Sequence, residues 1–494
     1  MKPAQGEPIA SAIGARCPSP HRAPTNCGGG LAAYHDMIAA KALAFQPRGL
    51  SNTPPLNSSL SDLQSHCVDF SLRTGCSALF LDTGLGKTFS ALEWGRVIVE
   101  HTNKPVLMLA PLAVAGQHQR EADRWGVDAK AIREPEQVTG PRVYITNYDR
   151  LAKFADCDFS GVVLDESSIL KSFTGATTRA LMARFKATPY RLSATATPAP
   201  NDHMELGQQS QFLGVMESTD MLARWFFADQ ANMGKYRIKK PGVTDFWRWM
   251  ASWARCVTRP SDLGFSDVGY DLPELKVFQH VVRADTSVDA GEDRDGQARL
   301  FRIPDTSATS IHREKRLTAD MRADQVASVV ADEPGEAWII WCETDYEADA
   351  LAARIPDAIE VRGSMSPEEK EAKLEAFSTG AARILITKPS IAGHGLNWQH
   401  CARMAFVGLS FSYEQYYQAV RRCHRFGQTR PVQVHVVGSD TENAIWSIIS
   451  RKADDHEGMK AAMKKAMAEA VVHNRGYVTY RPAVKARLPQ FIGA

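Results

Sequence analysis

From Cys76 to Glu100 the chain reads CSALF, LDTGLGKT, FSALEWGRVIVE. An apolar run, a glycine-rich turn and a helix-like stretch follow one another without a gap. The apolar run suits a strand covered on both faces. Glycines at 84 and 86 permit a tight turn and close approach of the backbone. The helix that follows opens with free N–H groups, and loop and helix start together make an anion site. In such a loop Thr83, Gly84, Leu85 and Gly86 present backbone. Lys87 brings a point charge for the outer phosphates of a nucleotide, and Thr88 a hydroxyl for Mg²⁺. The strict pattern has glycine where Leu81 stands, so the flanking strand and helix carry much of the reading.

The same alternation of apolar runs and amphipathic segments extends on both sides. Strands are expected at 77–81, 105–110, 142–147, 161–165 and 190–195, and again at 336–342, 358–363, 383–388, 403–409 and 432–438. Runs of this length with helices between them predict α/β architecture: two doubly wound parallel-sheet lobes facing a cleft, with a helical insert between and a helical tail after. The expected divisions are a disordered extension (1–33), a short helix and linker (34–60), lobe one (61–205), a helical insert (206–272), lobe two (273–440) and the tail (441–494). Within the insert Phe246, Trp249, Met250 and Trp253 share a helical face and read as packing. With 494 residues there is ample length for large cores.

A formal charge of +2 excludes global steering toward nucleic acid, so any such contact must be local. Nine cysteines, none spaced C-x-x-C, point to a reducing compartment rather than a disulfide framework or zinc site. No apolar stretch reaches the ~18 residues of a membrane span. The expected location is cytoplasmic, either nucleoid-associated or in a host cytoplasm.

Two further patterns carry chemistry. VVLDESS (162–168) ends an apolar strand in adjacent carboxylates: Asp165 can hold Mg²⁺ through water, and Glu166 can orient or deprotonate an attacking water. Alone, Asp-Glu after a strand is commonly a helix start that favours negative charge. QAVRRCHRFGQTR (418–430) places Arg422 and Arg425 three apart, on one face if helical. A guanidinium delivered across a cleft stabilises charge during phosphoryl transfer. A solvated basic helix face would show the same spacing.

Taken together, the motifs resemble those of superfamily 2 helicase-type ATPases, nearest the Swi/Snf-like branch and its compact phage and prophage members. The resemblance runs from about Tyr34 to Ala470. LDTGLGKT matches the phosphate loop and LDESS the acid pair. LAPLAVAGQ (109–117) and ITNYDRL (145–151) match strand-end motifs, LSATATPAPND (192–202) the coupling motif, and ITKPSIAGHGLNWQ (384–399) with QAVRRCHRFGQ the last two. The resemblance implies ATP and Mg²⁺ as cofactors and Gln64 as the reader of adenine. Lys87, Glu166, Arg422 and Arg425 would be catalytic, Thr88 and Asp165 would hold the metal, and Gly393 and Gly395 would close on the nucleotide.

It further implies a DNA partner, duplex and bound without regard to sequence. The expected contacts are Pro111, Leu112, Thr146, Asn147, Arg362, Gly363, Thr387 and Lys388, through amides and hydroxyls at strand ends. The expected function is an ATP-driven motor moving on duplex DNA. A strand-separating helicase on DNA or RNA, or a nucleotide-switched scaffold with little turnover, are the alternatives. Ser168 stands where many relatives carry His, Arg421 where they often carry Asp, and Leu81 and Thr83 differ from the usual loop wording.

Overall fold

The computed structural model describes residues 47–111, 114–172, 174–200, 202–228, 236–284, 308–393, 396–440 and 443–473. All lie within one compact unit spanning 45–481. The expected helix near Tyr34 and the extension before it fall outside the described residues.

The first sheet is wholly parallel. Its strands are β1 (Cys76–Leu81), β2 (Val106–Ala110), β3 (Ala129–Ala131), β4 (Val143–Asn147), β5 (Gly161–Asp165), β6 (Tyr190–Ala194) and β9 (Ala254–Val257), in the order β3-β4-β2-β5-β6-β1-β9. Strands β1, β2, β4 and β5 are buried at every residue. That is the environment continuous apolar runs require, with helices on both faces. Helices α1 (Asp62–Thr74), α2 (Lys87–Thr102) and α3 (Ala115–Trp125) belong to this lobe. A capping box starts α1, with Ser61 and Gln64 bonding each other's backbone N–H.

The second sheet is also parallel: β10 (Leu275–Val282), β11 (Trp338–Trp341), β12 (Ala358–Val361), β13 (Ile384–Thr387), β14 (Arg403–Val407) and β15 (Val432–Ser439), ordered β10-β15-β14-β11-β13-β12. Alternate residues of β11 enter opposite cores. Ile339 and Trp341 pack with Phe377, Trp398 and Phe406, whereas Trp338 and Ile340 pack with Val326, Leu351 and Ile386. The sheet is therefore sandwiched between two apolar layers. Helices α5 (Pro367–Ser378), α6 (Pro389–Ala392) and α7 (Tyr413–Val420) flank it. Both sheets have the parallel, helix-covered form of RecA-like lobes.

The segment 206–272 is not only helical. It includes an antiparallel pair, β7 (Phe226–Ala228) with β8 (Tyr236–Ile238), and then α4 (Val243–Ala251). It then returns β9 to pair with β1, so its end is part of the first sheet rather than a separate insert. The aromatic stripe is core: Trp225 and Trp249 lie 4.8 Å apart, Trp249 and Trp253 5.3 Å, and Trp253 meets Phe80 of β1 edge-on at 6.2 Å. The tail is α8 (Asn443–His473). No helix among the described residues is long and apolar enough to cross a membrane.

Candidate active site

Strand β1 ends at Leu81 and α2 begins at Lys87. Between them Gly84 and Gly86 take φ of +91° and +80°, in the left-handed region that favours glycine. Gly86 precedes α2 without a side-chain cap, so the first-turn N–H groups of α2 remain directed at the loop. Space adds to the demand, firmly at Gly84, where a Cβ would also stand 2.9 Å from the Phe426 backbone N, and less so at Gly86, where the neighbour is the movable end of a side chain. A Cβ on Gly86 would stand 2.0 Å from Gln64 Nε2, and one on Gly84 2.7 Å from Phe426 Cβ of the second lobe. Lys87 Nζ donates to the carbonyls of Leu81 (2.9 Å) and Asp82 (3.3 Å). Gln64 spends its amide oxygen on Ser61 N and donates to the Leu85 carbonyl at 3.4 Å.

At the end of β5, Asp165 is buried and accepts from His118 Nε2 at 2.7 Å, while Tyr148 donates to its carbonyl at 2.7 Å. Burial alone would favour neutral forms of both side chains. Their mutual attraction outweighs it, holding His118 above and Asp165 below its ordinary range, with Lys87 reinforcing the latter. His118 had no place in the sequence reading. It sits early in α3, the helix that leaves β2, and so reaches the crevice at the strand ends where ligands of open α/β sheets bind. Glu166 has φ of +55°, an uncommon backbone for a residue with a side chain. Its Oε2 accepts from Thr195 Oγ1 at 3.2 Å, tying the acid pair to the LSATATP segment.

The second lobe contributes two arginines, though not from one helical face. Helix α7 stops at Val420, and Arg422 and Arg425 lie on the turn beyond it. Arg422 is held by Gln418 O (3.0 Å), Gln418 Oε1 (3.1 Å) and Leu396 O (3.0 Å). Arg425 donates to Asn397 Oδ1 and to Leu396 O. Both arginines line a single cavity of about 470 Å³ with Gln64, Thr83, Gly84, Gly86, Lys87, Thr88, Asp165, Glu166 and His118. Leu85 turns its side chain into the core. Gly393 follows α6, where a Cβ would stand 2.2 Å from the Pro389 carbonyl oxygen, and is not among the lining residues; Gly395 lies outside the described residues.

The cavity crowds cations. Burial lowers Lys87, opposed by Glu166, Asp82 and Asp165 and reinforced by Arg425. Burial, opposed by Glu166 and Asp165, lowers Arg422. Burial and the charge of Arg422 bring Arg425 down to about 9. An entering polyanion would offset all three penalties. For Mg²⁺ the donors fit: the Thr88 hydroxyl and the Asp165 carboxylate are hard oxygen ligands, with phosphate and water oxygens able to complete six. Among the described residues there is no group of three or more His, Cys, Asp or Glu that could hold a metal by themselves.

Those expected nucleic-acid positions that are among the described residues lie at or just after the C-terminal ends of strands, and several of their side chains are already engaged. Thr146 and Thr387 are buried, and their hydroxyls donate to Ile132 O (2.9 Å) and Val361 O (3.3 Å). In this structure both hydroxyl protons are committed to these carbonyls. Arg362 pairs with Asp349 and Glu360, and Lys388 with Asp345 at 2.7 Å. Asn147 is buried with its Oδ1 unpartnered, at a groove lined by Arg120, Arg133 and Arg150 of one lobe and Lys370 and Glu371 of the other. Pro111 directly follows β2 and Gly363 lies two residues after β12; Leu112 lies outside the described residues.

Two parallel-sheet lobes that bring a phosphate-type loop, an acid pair and opposed arginines to one cavity define a helicase-type α/β protein. The family described as helicase conserved C-terminal domain matches residues 321–427. The chain is 22% identical over 446 residues to the mouse DNA annealing helicase and endonuclease ZRANB3, covering 81% of this chain and 40% of the relative. It is 22% identical over 438 residues to the Xenopus tropicalis SWI/SNF-related matrix-associated actin-dependent regulator of chromatin subfamily A-like protein 1, covering 80% and 44%. A zebrafish (Danio rerio) chromodomain-helicase-DNA-binding protein 1-like is 37% identical over 87 residues, 17% of this chain and 8% of that protein. The chain spans less than half the length of these relatives. In sequence the chain is thus similar to superfamily 2 helicases of the Swi/Snf-like branch.

Proposed function

We propose that the chain is a DNA-stimulated ATPase that moves along duplex DNA. The observation that supports this best is the convergence of Lys87 from one lobe with Arg422 and Arg425 from the other on a cavity that also holds Asp165 and Glu166. The carboxylates there offset only part of what burial costs the three cations, and an entering polyanion would offset more. In this reading Lys87 and the first amides of α2 hold the β- and γ-phosphates, and Gln64 stands beside the base. Glu166, oriented by Thr195, takes the proton of the attacking water. Arg422 and Arg425 face the charge that spreads over the γ-phosphoryl oxygens. Thr88 and Asp165 would hold Mg²⁺, which would supply neutralisation of the phosphate charge. His118 keeps Asp165 ionised and aimed.

ATP binds both lobes at once, so it favours the closed arrangement over the open one, and that differential affinity is what hydrolysis releases. Two strand-end surfaces gripping a phosphate backbone in turn would then move along it. That the relatives' names contain DNA annealing, chromatin and DNA-binding supports DNA over RNA. The test is ATPase turnover with no nucleic acid, duplex DNA, single-stranded DNA and RNA. Stimulation by duplex without strand separation is the expected result. Stimulation by single strands with unwinding would support the helicase alternative, and negligible turnover in every arm would support a nucleotide-switched scaffold.

A further inference from the structure

Asp82, the residue after β1, is used by neither the phosphates nor the metal in the reading above, yet it is the most heavily partnered side chain near the loop. Its carboxylate is buried and accepts from Thr83 N (2.7 Å), Tyr417 OH (2.5 Å), Arg421 Nη2 (3.3 Å) and Lys460 Nζ (3.4 Å). Tyr417 and Arg421 belong to the second lobe, and Lys460 to the tail helix. Lys460 also donates to Tyr417 OH at 3.0 Å and stands 4.8 Å from that ring, with Arg421 at 5.1 Å from the same ring. Three segments far apart in sequence thus meet on one carboxylate, one residue from the phosphate loop.

Helix α8 is built to carry such a contact. Its first part places Ile445 and Ile449 in the second lobe's core. Its later part buries Met459 and Met463 and packs against α4, β9 and the turn Pro260–Leu263 of the first lobe. There Lys464 pairs with Asp262 at 3.1 Å and donates to Thr258 Oγ1 at 2.9 Å. Its 31 residues span about 46 Å, enough to cross both lobes. Between the two halves sits Gly458, with no atom near where a Cβ would go. Neither φ nor crowding requires glycine there, and its effect in a helix interior is added flexibility.

We propose that Lys460 and Arg421 are positioning residues that act through Asp82 to set where the phosphate loop stands relative to the second lobe, with α8 as the strut that holds this setting and Gly458 as its flexible joint. The inference rests on the ATPase reading for its effect on turnover, but the strut itself is geometric. The test uses the full chain with spin labels on unnatural amino acids at Arg179 in the first lobe and Asp332 in the second, both exposed.

Lys460→Met and, independently, Asp82→Asn should broaden the interlobe distance distribution, and Lys460→Arg should restore it. Gly458→Ala, which should not endanger folding, should narrow it. Turnover in Lys460→Met should fall roughly tenfold, the rate equivalent of one charge-assisted contact, with nucleotide affinity changed less than about threefold. Unchanged distributions in both Lys460→Met and Asp82→Asn, or broadening in Gly458→Ala, would overturn the proposal. Distances are read without turnover. A chain with no ATPase activity would therefore sink the functional reading alone, and unchanged distances in an active enzyme would sink the strut alone.

Discussion

Replacing Arg422 by alanine separates a catalytic guanidinium from a basic surface residue. The side chain is 3% exposed, so it is no solvated charge. An arginine has five N–H groups. Three are committed to Gln418 O, Gln418 Oε1 and Leu396 O, which fixes the plane of the guanidinium and leaves two for the cavity. Arginines delivered this way in phosphoryl transfer are worth at least about 10³ in rate, or about 4 kcal/mol. Arg422→Ala should therefore lower turnover roughly 10³-fold while nucleotide affinity, held mainly by Lys87 and the loop amides, falls less than about tenfold. The substitution also strands the carbonyl and the side-chain oxygen of Gln418, each costing about 1–3 kcal/mol if left dry, while Leu396 O keeps Arg425. Urea unfolding must accordingly accompany the single-turnover ATPase assay, to show that the variant is folded. A folded Arg422→Ala protein that turns over within about threefold of the parent, while Lys87→Ala is inactive, would refute the assignment.

Lys87→Ala should abolish hydrolysis, and Glu166→Gln should retain nucleotide binding in an equilibrium titration while stopping turnover; normal activity in either would remove that residue from the mechanism. Gly86→Ala should weaken nucleotide binding by at least about tenfold, because any side chain at φ of +80° is strained and this one meets Gln64; a fluorescent-nucleotide titration unchanged by the substitution would refute that geometry. His66 gives a pH dependence. Burial, assisted by the charge of Arg255, lowers it from 6.5 to about 4. Between those values the unfolded chain binds a proton that the folded chain refuses, so stability rises with pH across the window, by at most about 1.4 kcal/mol per unit from this group. Urea unfolding of His66→Leu from pH 4 to 7 should show a shallower slope than the parent; an unchanged slope would contradict the assignment.

Most of the fold was legible because buried parallel strands are continuous apolar runs, and the ten so marked are strands. Those that escaped notice lacked the signal. β10 (LKVFQHVV) is an edge strand, exposed along most of its length and interrupted by polar residues. β3 has three residues, and β9 (ARCV) is hidden behind the aromatic stripe of α4. The candidate site was legible where its chemistry is local in sequence: loop, acid pair and arginines each lie within a short motif. The link from His118 to Asp165 spans 47 residues, and those from Asp82 to Tyr417 and Lys460 span 335 and 378. No spacing rule reaches so far. The strand-end threonines illustrate the opposite limit, since their types suited phosphate contact but the pleat turned their hydroxyls onto neighbouring carbonyls.

The central claim is that one nucleotide is held by both lobes. A crystal structure of the chain with ADP, Mg²⁺ and fluoroaluminate tests it most directly. The account predicts the fluoroaluminate within hydrogen-bond reach of Lys87 Nζ on one side and of the Arg422 or Arg425 guanidinium on the other, with a water at Glu166. Fluoroaluminate bound by the first lobe alone, with both guanidinium groups turned away from it, would contradict the account.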